Sequence, residues 1–74
     1  MENLTTDEAI DALIHGWKVK VTLLDGKTYD VLRIRQSILP DFDTYIMYRS
    51  ESGWAVDLFV MDENVSFIGE ERAA

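Results

Sequence analysis

The apolar positions along the chain change period once, early. Ile10, Leu13 and Ile14 fall at i, i+3 and i+4, which is one narrow stripe of a helix. Thr5-Thr6-Asp7-Glu8 ahead of them has the spacing of a capping box, in which a Thr hydroxyl and the Glu three residues on satisfy each other's backbone N–H groups. Gly16 is a natural stop. The spacing predicts a helix over residues 6–15. From Trp17 the period becomes two: Trp17, Val19, Val21 and Leu23 alternate with Lys18, Lys20 and Thr22, the pattern of a half-buried strand over 17–24.

Asp25-Gly26 is a hairpin signal between two such runs. The second strand covers 27–35, and its apolar parity changes inside it: Tyr29 and Val31 share one face, Leu32 and Ile34 the other. Such a change predicts a bulge or sharp bend, and bent strands let a short sheet curl into a small barrel. Residues 37–43 read as a loop around the only proline, Pro40. A third strand follows at 44–49, and a fourth at 54–61 with Trp54, Val56, Leu58 and Val60 on one face. Asp62-Glu63-Asn64 makes a tight acidic connection to a short fifth strand at 65–68, and residues 70–74 read as a fraying tail. The expectation is one mainly β domain over 1–74: an N-terminal α-helix, then a five-stranded, strongly bent antiparallel small barrel at about 17–69.

Composition narrows the chemistry. The 74 residues include no cysteine and one histidine, so disulfides, thiolate metal sites, a Cys nucleophile and His-cluster metal sites are excluded. The four glycines are isolated turn residues, so no phosphate-cradling loop is present. His15 sits at the expected helix end, where a cation complements the dipole, and no serine carries a nucleophile motif. No enzyme activity, cofactor or metal is expected. No secretory signal or membrane-spanning run is read, and a cytoplasmic location is expected.

Charge is uneven. Residues 1–37 carry six acids and five bases, whereas 38–74 carry eight acids and two bases, within a net charge of −7. The second half repels a polyanion and attracts a basic protein surface. An apolar loop residue rimmed by acids suits such a partner, so Asp41, Phe42, Asp43, Glu51, Asp62 and Glu63 are the expected partner-binding residues. The corresponding role is a non-catalytic acidic module, such as a phage-type inhibitor that presents carboxylates to a nucleic-acid-binding site on another protein. The alternative ligand-binding set is Arg33, Arg35 and Tyr45, two cations and an aromatic of the kind that bind RNA or a nucleotide.

The run Val19-Lys20-Val21-Thr22-Leu23-Leu24-Asp25-Gly26-Lys27-Thr28-Tyr29, together with Phe59-Val60-Met61-Asp62-Glu63-Asn64-Val65-Ser66-Phe67-Ile68, resembles the two signatures of the Sm-like family, including its bacterial Hfq branch. The resemblance implies a helix followed by five bent strands that form a small barrel of Sm or SH3 type. It also implies rings that close by pairing the fourth strand of one subunit with the fifth of the next, a homo-oligomer that binds RNA or a smaller ligand. The family's functional positions differ here. Asp30 stands where a mid-strand glycine is usual, residues 37–44 hold no asparagine, and Met61-Asp62-Glu63 puts acids where the family has a cation.

Overall fold

The computed structural model describes residues 2–71. It is mainly β: one six-stranded antiparallel sheet and one short helix. The elements are β1 (Glu2–Leu4), α1 (Thr6–Ile14), β2 (Lys18–Thr22), β3 (Thr28–Gln36), β4 (Thr44–Arg49), β5 (Ala55–Val60), a single 3-10 turn at Asp62–Asn64, and β6 (Ser66–Glu70). The strand order is β1-β6-β2-β3-β4-β5. The sheet is open, with β1 and β5 as its edges, where the sequence predicts five strands curled into a barrel. No helix among the described residues is long and apolar enough to cross a membrane.

Local chemistry starts the helix as expected. The Thr5 hydroxyl accepts from the Glu8 N–H at 3.2 Å, and the Glu8 carboxylate accepts from the Thr5 N–H at 2.9 Å. The buried face differs from the expected stripe. Ala9 and Ala12 are buried, Ile10 and Leu13 are half-buried, and Ile14 is 75% exposed. The helix lies so close over β2, β3 and β6 that alanines make the contact and the longer side chains fill its flanks.

The Asp25-Gly26 turn closes the β2–β3 hairpin. Asp25 accepts from the Lys27 N–H through Oδ1 and from the Tyr29 hydroxyl through Oδ2, both at 2.8 Å. Those two bonds hold the Asp25 carboxyl below its ordinary pKa, the backbone bond contributing most. Gly26 takes a φ of +79°, which side-chain-bearing residues rarely adopt.

The expected bulge is present in β3. The β3–β4 register slips between Val31 and Arg33, leaving Leu32 as the extra residue. The slip changes the faces expected for this strand. Val31 and Ile34 both turn inward and are buried, whereas Leu32 is 40% exposed. Arg33 and Arg35 then share the outer face.

Three further corrections concern the ends of the sheet. A sixth strand, β1, precedes the helix and pairs antiparallel with β6 through Glu2–Gly69, Asn3–Ile68 and Leu4–Phe67. Trp54 lies before β5 rather than in it and is 76% exposed. β6 runs on through Glu70, which pairs with Lys18, where fraying was expected; residues 72–74 of that tail lie outside the described residues. Gly69 explains the extension. A Cβ there would lie 2.4 Å from Leu4 Cδ1 and 3.2 Å from the Trp17 ring, so the bare backbone lets both side chains close over β6. The core is Val19, Val21, Val31, Ile34, Ile46 and Phe67, with Ala9 and Ala12.

Candidate functional site

The loop at 37–43 and the 3-10 turn meet at one end of β4, and there the structure assembles most of the expected acidic residues. Pro40 follows Leu39 in a turn closed by the Phe42 N–H donating to the Leu39 carbonyl at 3.3 Å, and the Ser37 N–H donates to the Asp43 carbonyl at 2.9 Å. This turn projects Asp41 and Phe42. Phe42 is 39% exposed and its ring lies 6.2 Å from that of Phe59.

Asp43 and Asp62 do structural duty at the same place. Thr44 is the buried polar residue of the core, and its hydroxyl donates to Asp62 Oδ1. Thr6, in the first turn of α1, donates to the same oxygen at 3.2 Å, and the Asp62 N–H donates to Asp43 Oδ2 at 3.3 Å. One carboxylate thus ties the helix, β4 and the β5–β6 connection together. Glu63, next in the 3-10 turn, is exposed.

Glu51 does not join this group. It lies in the β4–β5 turn, and the Lys27 ammonium is 2.9 Å from its carboxylate. That is the other end of β4, about 17 Å from Thr44 by strand rise. Five of the six expected partner-binding residues therefore share one end of the sheet, and Glu51 belongs to a separate surface ion pair.

The alternative set comes together through the bulge. Arg35 is opposite Tyr45, and Tyr45 is opposite Phe59; Arg33 is opposite Met47, and Met47 is opposite Asp57. The Tyr45 hydroxyl donates to Asp57 at 2.6 Å, and its ring lies 5.3 Å from Phe59. Donation to Asp57 raises the Tyr45 pKa above the ordinary phenol range, burial and the Asp57 charge add to this, and Arg33 and Arg35 oppose it. Neither arginine forms an ion pair among the described residues.

Sequence reasoning missed an apolar cleft of about 390 Å³ beside the acids. Its walls are Leu23 and Leu24 of the β2–β3 turn, Leu58, Phe59 and Val60 of β5, and Val65, with Phe42 at its rim. Leu24 is 82% exposed. A signal was present: Leu24 falls outside the alternation of β2, directly before a turn that has no need of leucine. A second, wider groove of about 840 Å³ at the far end of α1 is lined by Lys18, Arg49, Asp30, Glu70 and Glu71 among others, a mixture of both charges. Compared with family models, with curated proteins and with solved structures, the chain matches none.

Proposed function

We propose that this chain is a non-catalytic protein-binding module that presents an acid-rimmed apolar surface to a basic partner. The observation that carries this reading is the convergence of Asp41, Glu63, Asp43 and Asp62 with exposed Phe42 beside the apolar cleft. Apolar contact supplies affinity there and the acids select a cationic surface. Inhibition of a nucleic-acid-binding protein, in the manner of phage-encoded inhibitors, is one role such a surface serves. His15 fits this reading, because its ring nitrogen Nδ1 lies 2.8 Å from the Asp11 carbonyl at the helix end and is engaged there.

Asp41 and Glu63 are the residues to reverse, since Asp43 and Asp62 also hold the fold. Asp41→Lys with Glu63→Lys leaves thermal stability unchanged and abolishes capture of a basic protein at low salt. Undiminished capture by this variant, or capture indifferent to salt, overturns the reading.

A second reading rests on the outer face. Arg35 lies opposite Tyr45 there and Arg33 is diagonal to it, two cations and an aromatic that favour an Sm-like ring binding RNA or a nucleotide. The five strands after the helix lie in the order β6-β2-β3-β4-β5, which places the fourth and fifth strands of the resemblance on opposite sides of the sheet. In this chain β1 occupies the outer edge of β6, so a ring closed by strand pairing forms only when β1 leaves. Native mass spectrometry at low salt separates the readings: a ring carrying nucleic-acid or nucleotide mass favours the second, and a nucleic-acid-free monomer favours the first.

A further inference from the structure

The two edges of the sheet are treated differently. β6 is covered by β1, which is three residues long and held by Leu4 packing over Gly69. β5 offers six residues, 55–60, with no strand on their outer side among the described residues. Exposed edges are commonly blunted by lysine, proline or a bulge. β5 has none of these, and its one charge is Asp57. The apolar cleft meets the last half of this strand: Leu58 and Val60 of the inner face and Phe59 of the outer face line it. Its opposite wall is Leu23, Leu24 and Val65.

We propose that β5 is a strand-addition site: an extended basic segment of a partner protein pairs with residues 55–60 and lays alternate apolar side chains into the cleft. The proposal rests on the acidic-module reading and specifies how the partner sits. In this mode main-chain hydrogen bonds supply affinity and the pockets for alternate side chains supply specificity. The residues between the apolar ones project toward the face that carries Asp57, with Arg33 and Arg35 two strands away on β3, and Asp62 and Glu63 follow Met61 just past the end of the strand. That charge selects a cationic occupant. A second copy of the chain is disfavoured by the same charges: each copy carries a net −7, and pairing β5 against β5 sets the Asp57, Asp62 and Glu63 groups of the two copies along one seam. A polyanion is disfavoured for the same reason.

The test uses a capped peptide of alternating valine and arginine, titrated into the full chain at low salt. Two derivatives carry N-methyl groups on alternate backbone amides, one set in each register. Strand addition predicts that one methylated set binds at least about tenfold more weakly while the other binds like the parent. Leu24→Glu, at a position exposed enough to leave the fold intact, weakens the parent peptide by a similar factor, and the unliganded chain sediments as a monomer. Equal binding of both methylated sets, with Asp41→Lys and Glu63→Lys still abolishing it, overturns strand addition and leaves the acidic-module reading standing. Absence of binding by any of the peptides overturns both. Self-association that Leu24→Glu dissolves also overturns the proposal, by making a second copy the occupant.

Discussion

The strands under the helix and the edge strand β5 bury their apolar residues to very different extents. Beneath α1, Val19, Val21 and Phe67 are almost wholly inaccessible, and Leu4 and Trp17 close over Gly69. On β5 no residue is buried, although the strand carries Val56, Leu58, Phe59 and Val60. Both regions have strand-forming, apolar sequences, so composition does not separate them. Coverage does. A nine-residue helix is about 14 Å long and reaches only part of a six-stranded sheet. The uncovered part keeps its apolar surface, and that surface lies beside exposed acids. Large exposed apolar area on a small chain marks a place where something else binds.

The comparison breaks most clearly at two phenylalanines. Phe67 is 2% exposed and Phe59 is 39% exposed. Phe67→Ala removes a ring from the centre of the core, and its expected destabilisation is about 3–5 kcal/mol, measured by urea unfolding. Total stability for a chain of this size is of the same order, so the variant sits at the edge of folding. Phe59→Ala is expected to lower stability by about 1 kcal/mol, because its ring keeps much of its solvent contact. Equal losses at the two positions would show that β5 belongs to the core.

Asp62 joins the two regions, and its removal is the next largest effect. Asp62→Ala leaves the buried Thr44 hydroxyl without its acceptor and frees Thr6 at the start of the helix. The expected cost is about 1–3 kcal/mol. Asp62→Asn keeps an oxygen acceptor and is expected to recover most of it. Similar unfolding midpoints for the two variants would assign the loss to charge rather than to the hydrogen bonds.

What the sequence made legible follows from the range of each interaction. The capping box, the Asp25-Gly26 turn and the bulge in β3 are set by neighbours within a few residues, and each appears where its residues predict it. The bulge was visible as a parity change, but its outcome was not. Parity alone cannot say whether the bulge moves Leu32 or Ile34 inward, and the register against β4 decides it. β1 was illegible because three residues with one apolar side chain make no period. Its partner is Gly69, more than sixty positions away. The acids were legible as a group but not in their roles. Asp62 and Glu63 are adjacent and alike in the sequence, and only the fold sets Asp62 against Thr44 while leaving Glu63 exposed. The cleft was hidden because its two walls come from β5 and the β2–β3 turn.

The cap sharpens the comparison from the covered side. Thr5→Ala removes the hydroxyl that accepts from Glu8, and the expected loss is about 1 kcal/mol, read as a lower unfolding midpoint. Because α1 packs chiefly on β2, β3 and β6, loosening its first turn is expected to raise amide exchange in β6 and leave β5 unchanged. Matching changes in β5 would show that the two regions unfold as one unit.

The smallest effect concerns the outer face and distinguishes its possible visitors. Tyr45 donates to Asp57, which holds the phenol protonated to a higher pH than usual, against the pull of Arg33 and Arg35. A raised phenol pKa contributes stability that is fully present below the unfolded value near 10, and that contribution is lost as pH rises through the folded value. Asp57→Asn removes the charge and leaves both arginines in place, so tyrosinate absorbance during an alkaline titration is expected to appear at lower pH than in the parent. The same phenol reports on bound charge. An arginine-bearing strand added to β5 brings cations that retain their charge at this pH, and it moves the Tyr45 titration downward. A nucleotide held between Arg33 and Arg35 brings negative charge and moves it upward. The sign of that shift, read in one titration with each probe, decides whether the open part of the sheet is built for a cationic strand or for an anion.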